Sequence, residues 1–594
     1  MLAALTLAAS ACSSGGSSST PPDAKAITTD FLNAFVGGDA ATAAKYTNDP
    51  NTAQAALTAA RTALKPDSIS VQLGQVTTTN TTATANYTLS WNFGAGEVWS
   101  DPTSLKLAQD KNSNWAVTWA PSILASNMGP GQKLSRSTLT PTAATVLGSD
   151  GSTLLAPTTV TSVVVFAAQA GNLSSVANSL AGVLAQFDST ITAASITDGA
   201  NKAGATGYTV VSLRDSDYQR IKPQIYNLPG VHFVTSSQLV ASQRAFGGAI
   251  MPTLRAYANK QTGSVSGFSI SIVDSQGNKV SDVFSKAAGT APQITSSLSS
   301  RAQTALESAL NTVSEPAMAV VIQPSTGAIL AVAGNTAAVV AGDSPLTGTY
   351  PPGSTFKIAT ANAAFQAGTV TPSSTVQCPG TTVIGGRTIP NENQFNLGAV
   401  PLITAFAQSC NTTFSQLAAG LSADALPTSA RQLGIGVDYT IPGFTTNTGS
   451  IKSASDTLAR ATDGFGQGTD LVSVFGEALM AATVAHGSTP LPYLIKNDTT
   501  SSDTSPKALP SGVQANLQQI MRAVVTSGTA KSIAGLSPAV YGKTGTAQFG
   551  DGTHSHGWFT GYQGDLAFSV LLVGGESSSP AVVVAGKFLQ AYNQ

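Results

Sequence analysis

The chain has 594 residues, more than a single hydrophobic core accommodates, so we expect several domains. Charged side chains make up 10% of the residues and the formal net charge is −1, which excludes the basic surface of a nucleic-acid-binding protein. Alanine, threonine, serine and glycine take the place of the charges, a composition that suits an exported protein.

The amino end has features of an export signal. Residues 1–11 are apolar and precede Cys12 and a run of serine and glycine, so residues 1–12 resemble a bacterial lipoprotein signal with Cys12 as the lipidated residue. The alternative is an ordinary secretory signal, and the true start of translation stays open because no Lys or Arg precedes Lys25. Residues 13–23 form a flexible linker. No later stretch has the roughly 18 uncharged apolar residues of a membrane span, so we expect the lipid alone to anchor the protein.

Residues 24–127 have the pattern of helices followed by a sheet. Ile27, Phe31 and Phe35 recur on one helical face. Alternating strands are expected at 69–76, 83–93 and 114–119. This order indicates an α+β domain, and because it holds no constellation of acids or histidines we expect a spacer or docking module.

Residues 128–300 and 301–594 also mix strands and helices. For the first region we expect strands at 162–166 and 208–213 and helices at 176–186 and 221–228. For the second we expect helices at 301–310 and 581–592 and strands at 318–333 and 567–574. A helical cluster should lie between the early and late strands of this last region.

One stretch of the last region has the pattern of a nucleophile and its base. Ser354 and Lys357 are three residues apart, after Pro352-Gly353 and before a run of good helix formers, so both should lie on one face at a helix start. A neutral lysine amine can take the proton of a nearby serine hydroxyl, and the helix amino end favours the developing negative charge. Taken alone, the spacing is more typical of a capping serine followed by a surface lysine.

Two further motifs change that balance. Ser409-Cys410-Asn411 precedes an apolar helical run, although by itself it is equally typical of a helix cap. Lys543-Thr544-Gly545-Thr546 lies in a segment of strand character whose small residues let a substrate backbone approach closely. Ser-x-x-Lys, Ser-x-Asn and Lys-Thr-Gly in this order form the motif set of penicillin-binding proteins and serine β-lactamases.

At these motifs the chain resembles the class B penicillin-binding proteins, the serine D,D-transpeptidases of the bacterial cell wall. Three more stretches look like this family and fall where its transpeptidase domain has them: 319–331, 464–468 and 556–562. The usual Arg-Gly pair and Asp-Arg-x-Gly turn at the start of the family's pedestal are replaced here by Arg136 and Ser149-Asp150-Gly151, which weakens that boundary.

The resemblance implies a multidomain α+β fold. Residues 24–127 would be an NTF2-like cone, as in the methicillin-resistance type of this family. Residues 128–300 would be an elongated α+β pedestal, or dimerisation, domain. Residues 301–594 would be the serine transpeptidase domain, with an antiparallel sheet flanked by helices and an inserted helical subdomain.

The resemblance also implies a mechanism without a cofactor or a metal. Ser354 would attack the penultimate D-alanine carbonyl of a stem peptide that ends in D-Ala-D-Ala. Lys357 would accept the proton, kept neutral by burial and by the charge of Lys543. Ser409 would relay the proton to the departing D-alanine, and Asn411 would orient Lys357.

Substrate binding is implied at the last motif. Lys543, Thr544, Gly545 and Thr546 would bind the terminal carboxylate, and the backbone N–H groups of Ser354 and Thr546 would hold the oxyanion. β-Lactams would acylate the same serine. A class B enzyme also implies a membrane glycosyltransferase partner and a location at the outer face of the cytoplasmic membrane.

The two remaining cysteines, Cys378 and Cys410, have no metal-site spacing. In an exported chain they are either bridged, which would hold the Ser409 loop, or two separate buried thiols. The four histidines are scattered and are interpreted as structural.

Two rival functions remain at this stage. A serine β-lactamase shares the motifs, but a class A enzyme needs a glutamate on an extra loop, and the only glutamate between Ser409 and Lys543 is Glu477 in an apolar helical run. The second rival is a non-catalytic β-lactam-binding sensor or scaffold, which the complete motifs disfavour.

Overall fold

The computed structural model describes residues 23–244, 246–505, 507–550 and 552–594. The predicted signal with Cys12, and the linker up to residue 22, lie outside these residues. The chain divides into two compact units, Met1–Pro141 with Gly263–Thr290 and Thr142–Thr262 with Ala291–Gln594. The domain boundaries after residues 127 and 300 stay predictions. No helix among the described residues is long and apolar enough to cross a bilayer.

The first unit begins with helices that pack against a four-stranded antiparallel sheet. Each helix is preceded by an aspartate whose carboxylate accepts a hydrogen bond from its first turn. The helices are Ala24–Val36, Ala40–Lys45 and Pro50–Leu64, and the strands, adjacent in chain order, are Ser68–Thr79, Thr82–Asn92, Val98–Gln109 and Trp115–Thr118. Trp91 is fully buried, edge-on to Phe35 and stacked on Trp99, so the predicted helix and strand faces meet in one core.

The first unit also contains a three-stranded sheet. Its strands are Lys133–Leu139, Gly267–Val273 and Lys279–Lys286, with the second in the centre. The Arg136 guanidinium lies over the rings of Phe93 and Phe268 at 4.9 and 4.1 Å and donates to the Leu64 carbonyl. Arg136 therefore ties this sheet to the cone within the first unit.

The early part of the second unit is a sheet covered by short helices. Strand Thr153–Val165 lies in its centre, between Tyr208–Arg214 and Val231–Ala241, and Val146–Leu147 pairs with its start. The helices are Leu173–Leu184, Ala193–Ala203, Asp215–Ile225 and Met251–Ser264. The expected strands and helices of this region are present, and the first three helices share a core of their own with the sheet.

The rest of the second unit is built on a five-stranded antiparallel sheet. In spatial order its strands are Ile329–Gly334, Ala317–Ile322, Leu566–Leu572, His554–Gln563 and Val540–Phe549. Helices Ser300–Leu310 and Ser579–Asn593 pack together on the sheet, and helix Val474–His486 also packs on it. Every residue of the central strand Leu566–Leu572 is buried because helices cover both faces.

A helical subdomain is inserted between the early and late strands, as predicted. Its helices are Thr336–Ala341, Lys357–Gln366, Leu402–Ala407, Asn411–Ala419, Ala425–Gln432, Thr457–Asp463, Val474–His486 and Ser511–Thr526. Four two-stranded ladders connect them: Thr375–Cys378 with Gly398–Pro401, Thr381–Ile384 with Arg387–Pro390, Tyr439–Thr440 with Ser501–Ser502, and Gly449–Ser450 with Leu471–Val472.

Candidate active site

Ser354 lies at the amino end of a buried helix. It belongs to a single 3-10 turn, Gly353–Phe356, and the α-helix begins at Lys357. In a 3-10 turn residues three apart are eclipsed, so Lys357 Nζ comes within 2.8 Å of Ser354 Oγ. The lysine is fully buried whereas the serine is half-buried, so its hydroxyl remains accessible.

The Ser354 turn fits against the Lys543 strand, Val540–Phe549, because a glycine precedes the serine. Gly353 has φ +53°, and a Cβ there would lie 2.6 Å from the Thr546 carbonyl oxygen. Its N–H donates to the Gly466 carbonyl at 3.0 Å, and Gly466 also has positive φ and no space for a side chain. Glycine is therefore required at both positions.

The partners of Lys357 can accommodate a neutral amine, the form that burial favours by lowering the pKa of this lysine. Its Nζ lies 2.8 Å from the Ser409 carbonyl oxygen and 2.7 Å from Asn411 Oδ1, and both atoms only accept hydrogen bonds. Asn411 Nδ2 donates to the Pro390 carbonyl, which orients the amide so that its oxygen faces the lysine. An ammonium would donate to all three of these oxygens, that of Ser354 included. A neutral amine has two N–H donors and one lone pair, so when it donates to Ser409 and Asn411 the lone pair can accept the hydroxyl proton of Ser354.

The Ser409 hydroxyl connects the two lysines. Its Oγ lies 3.2 Å from Lys357 Nζ and 2.9 Å from Lys543 Nζ. Ser409 has φ +62°, which is uncommon for a residue with a side chain. This conformation lets its carbonyl oxygen and its hydroxyl both face Lys357.

Burial sets the charge of the site. It holds the pKa of Lys357 well below its ordinary value, and the charge of Lys543 pushes the pKa in the same direction. Burial also lowers the pKa of Lys543, to about 7, and Glu392 partly opposes both shifts. Two ammonium groups that share one hydroxyl repel each other, so the charge of Lys543 favours the neutral form of Lys357.

The other residues of the Lys543 strand line the same cleft. Thr544 Oγ1 lies 2.6 Å from Thr529 Oγ1, and the Thr544 carbonyl accepts a hydrogen bond from Lys543 Nζ at 2.9 Å. A Cβ at Gly545 would lie 2.8 Å from the Pro352 carbonyl oxygen, so this glycine allows the turn and the strand to touch. The structure thus brings all eight candidate residues outside the amino-terminal signal together where the Ser354 turn, the Ser409 loop and the Lys543 strand meet.

A disulfide links the loop that carries Asn411 to the end of strand Thr375–Cys378. Cys378 and Cys410 form a disulfide across 32 residues. Asn391 Oδ1 accepts from the Thr412 backbone, and Asn391 Nδ2 donates to the carbonyls of Pro379 and Phe395. Of the two alternatives left open by the sequence, the bridge is the one found.

We expect the double variant Cys378→Ser/Cys410→Ser to lower the free energy of unfolding of the second unit by about 2–4 kcal/mol. The reason is that the bridge restricts the unfolded chain over 32 residues. Denaturant unfolding of both proteins, with and without a reducing agent, measures the difference. The reducing agent should destabilise only the wild type, and equal unfolding midpoints for oxidised and reduced wild type would contradict the expectation.

Several residues of the site were not recognised from the sequence. Gln467 Nε2 donates to the Thr546 carbonyl at 3.3 Å, and Trp558 Nε1 donates to the Pro351 carbonyl at 3.0 Å. Both lie in stretches that the family resemblance had marked. Glu477 is buried against Thr355, beside the nucleophile, and its only signal was a single acid in an apolar helix.

Comparison with known families gives two matches. Residues 317–590 match the penicillin-binding protein transpeptidase domain, and residues 23–132 match the NTF2-like N-terminal transpeptidase domain. In fold the chain is similar to the complex between penicillin-binding protein PBP2 and MreC of Helicobacter pylori, with a TM-score of 0.57 and 16% identity over 77% of this chain and 98% of that one.

Two curated relatives match part of the chain in sequence. The chain is 32% identical over 247 residues to the peptidoglycan D,D-transpeptidase PbpA of Mycobacterium tuberculosis, which is 37% of this chain and 49% of that protein. It is 29% identical over 235 residues to PbpA of Mycolicibacterium smegmatis, covering 36% and 48%. The chain thus spans about half the length of the curated relatives it matches. From its two matched domains and from the motifs that meet in the cleft, we conclude that the chain belongs to the class B penicillin-binding proteins that carry an NTF2-like amino-terminal domain.

Proposed function

We propose that this chain is a peptidoglycan D,D-transpeptidase that cross-links stem peptides through an acyl-serine intermediate. The observation that carries the proposal is a fully buried lysine, Lys357, whose pKa is lowered by burial and whose Nζ lies 2.8 Å from Ser354 Oγ. A positioned base of this kind typically contributes roughly a hundredfold to ten-thousandfold in rate.

In the acylation step Ser354 Oγ bonds to the penultimate D-alanine carbonyl carbon while Lys357 Nζ takes the hydroxyl proton. The C–N bond to the terminal D-alanine then breaks. Ser409, which contacts both Lys357 and Lys543, passes its proton to the leaving nitrogen and takes the proton of Lys357 in its place, so that Lys357 is neutral again. Asn411 holds the Lys357 amine in place. In the second half an amine of a neighbouring stem peptide attacks the ester and loses its proton to Lys357, which returns a proton to the departing Ser354 oxygen.

Binding of the donor peptide falls to the Lys543 strand. The terminal carboxylate of the donor peptide would bind the Lys543 ammonium and the hydroxyls of Thr544 and Thr546. Gly545, which has no side chain, would let the substrate backbone approach the strand closely. The backbone N–H groups of Ser354 and Thr546 are the proposed oxyanion donors. The close packing of Gly353 on the Thr546 carbonyl supports this pairing, because it keeps the two stretches of main chain adjacent.

Partners and location follow from the same proposal. The ligands are stem peptides that end in D-Ala-D-Ala and β-lactams, which imitate them, and a membrane glycosyltransferase would supply the glycan strands. The structure of similar fold is a complex of PBP2 with MreC, which is compatible with assembly with a further protein partner. We place the protein at the outer face of the cytoplasmic membrane, held by a lipid on Cys12.

Covalent labelling tests this function. Purified protein mixed with a fluorescent penicillin should be labelled once per chain, and peptide mapping should locate the label on Ser354. A peptide analogue of the stem should be cleaved with release of D-alanine, and a thioester analogue with release of its thiol. Rapid multiple turnover of nitrocefin would instead favour a β-lactamase, and labelling without cleavage of the analogue would favour a sensor.

A further inference from the structure

Glu477 is a buried carboxyl group that the proposed reaction does not use. It lies in helix Val474–His486, which is otherwise apolar over its buried residues except for Thr483, and its side chain is fully buried. Its Oε1 lies 2.9 Å from the hydroxyl of Thr355, the residue that follows the nucleophile. An acid in such a place is costly unless its proton and its partners are arranged to stabilise it.

The Thr355 hydroxyl has one proton and two acceptors. Its Oγ1 lies 2.7 Å from the Pro352 carbonyl oxygen and 2.9 Å from Glu477 Oε1. If Thr355 donates to Pro352, Glu477 has to be the donor in the second bond, which requires a protonated carboxyl. If Glu477 is ionised, its carboxylate accepts the hydrogen bond from the Thr355 hydroxyl. The Pro352 carbonyl then loses its donor.

The second oxygen of Glu477 favours the protonated form. Among the described residues, no donor lies within ordinary hydrogen-bond geometry of Oε2, and Thr560 offers only a weaker contact, so ionisation would leave charge on a poorly solvated atom. Burial raises the pKa of Glu477 to about 7, and the hydroxyls of Thr355 and Thr560 oppose this rise only in part.

The elements packed against the Glu477 helix add no charge that acts on it. Strands Ala317–Ile322 and Leu566–Leu572 contain no titratable side chain. Other titratable groups lie on the remaining packed elements and near the turn. They are His554, His556 and Tyr562 on strand His554–Gln563, Arg522 on helix Ser511–Thr526, His486 at the end of the Glu477 helix, and Lys357 and Lys543 at the active site. Within the described part of the chain, the pKa of Glu477 responds to burial and the two threonines alone.

The Pro352 carbonyl lies where the nucleophile turn meets the substrate strand. A Cβ on Gly545 would lie 2.8 Å from that oxygen and 3.0 Å from Thr355 Cγ2. The hydrogen bond from Thr355 to Pro352 therefore closes the turn that presents Ser354 at this contact. Loss of this hydrogen bond would loosen the turn that positions Ser354, and small displacements of a nucleophile lower the reaction rate.

We propose that protonated Glu477 positions the Ser354 turn through Thr355, and that ionisation of Glu477 slows acylation above neutral pH. This inference rests on the proposed transpeptidase function. Glu477 acts here as a positioning residue, because it touches Ser354 only through its neighbour. Glutamine should replace it well, since its amide N–H can donate to Thr355 and does not titrate.

The test compares acylation by a fluorescent penicillin in wild type and Glu477→Gln between about pH 6 and about pH 8.5. We expect similar rates at the acid end and a wild-type rate roughly two- to tenfold lower than that of the variant at the alkaline end, the effect of one hydrogen bond. Lys543 titrates in the same range in both proteins, so the ratio of the two rates isolates Glu477.

Two further variants guard against a merely structural effect. Glu477→Met keeps the volume without a donor and should acylate more slowly than Glu477→Gln at every pH. In Thr355→Val the connection is absent, so adding Glu477→Gln should not change its pH profile. A constant ratio of wild type to Glu477→Gln would overturn the inference, as would equal rates for Glu477→Met and Glu477→Gln. Absence of labelling in the wild type would instead overturn the proposed function.

Discussion

Ser354→Ala is expected to abolish covalent labelling by a fluorescent penicillin, because the Oγ atom is the bond-forming atom of the acyl-enzyme. The residual rate should be below detection, since each half of the reaction needs this oxygen. Gel fluorescence after incubation measures it directly. The variant should fold normally because the half-buried hydroxyl loses a single contact, that with Lys357, whose amine keeps Ser409 and Asn411 as partners.

A matched control separates this result from general damage. Ser373 is an exposed serine in a turn of the same subdomain, and Ser373→Ala should label like wild type. An unchanged melting temperature for Ser354→Ala would confirm an intact fold. Labelling that persists in Ser354→Ala would place the nucleophile elsewhere.

Lys357→Met should slow acylation by roughly a hundredfold or more, the usual cost of losing a general base. Methionine fills most of the buried volume and so limits the structural disturbance. Stopped-flow acylation measures the rate constant, and Lys531→Met, on the surface of the same unit, serves as the control. A loss of less than tenfold would assign the proton to another group.

The pH profile of the wild type gives a second test of Lys357. Only the neutral amine accepts a proton, and its pKa is lowered by burial and by Lys543. Acylation should therefore stay fast well below the ordinary pKa of lysine and fall as the pH drops through the lowered value. In Lys357→Met this acid limb should disappear along with most of the rate.

Short-range patterns were enough for much of the fold. The strand at 83–93 was predicted because Tyr87, Leu89 and Trp91 alternate, and those side chains are buried. Strand Val98–Gln109 was missed since Pro102 and polar residues interrupt the alternation. The structure accommodates Pro102 because residues 98–105 form an edge that the short strand Trp115–Thr118 does not reach.

At the active site, such patterns predict only part of the arrangement. Three motifs indicated that Ser354, Ser409 and Lys543 meet, and they do. The support of the nucleophile was hidden, because Thr355 and Glu477 are 122 residues apart and neither has a motif of its own. Sequence periodicity tells which side chains are buried, whereas the pairing of one buried polar atom with another depends on packing between distant segments.

The contact of Gly353 with Thr546 and Gly466 bears on how this protein can adapt. Backbone atoms meet there with no room for even one added carbon. A side chain at Gly353 or Gly466 would therefore push the Ser354 turn away from its neighbours, the Lys543 strand among them. Tolerance of bulkier acyl groups, or escape from an inhibitor, must then arise from residues outside this contact between backbones.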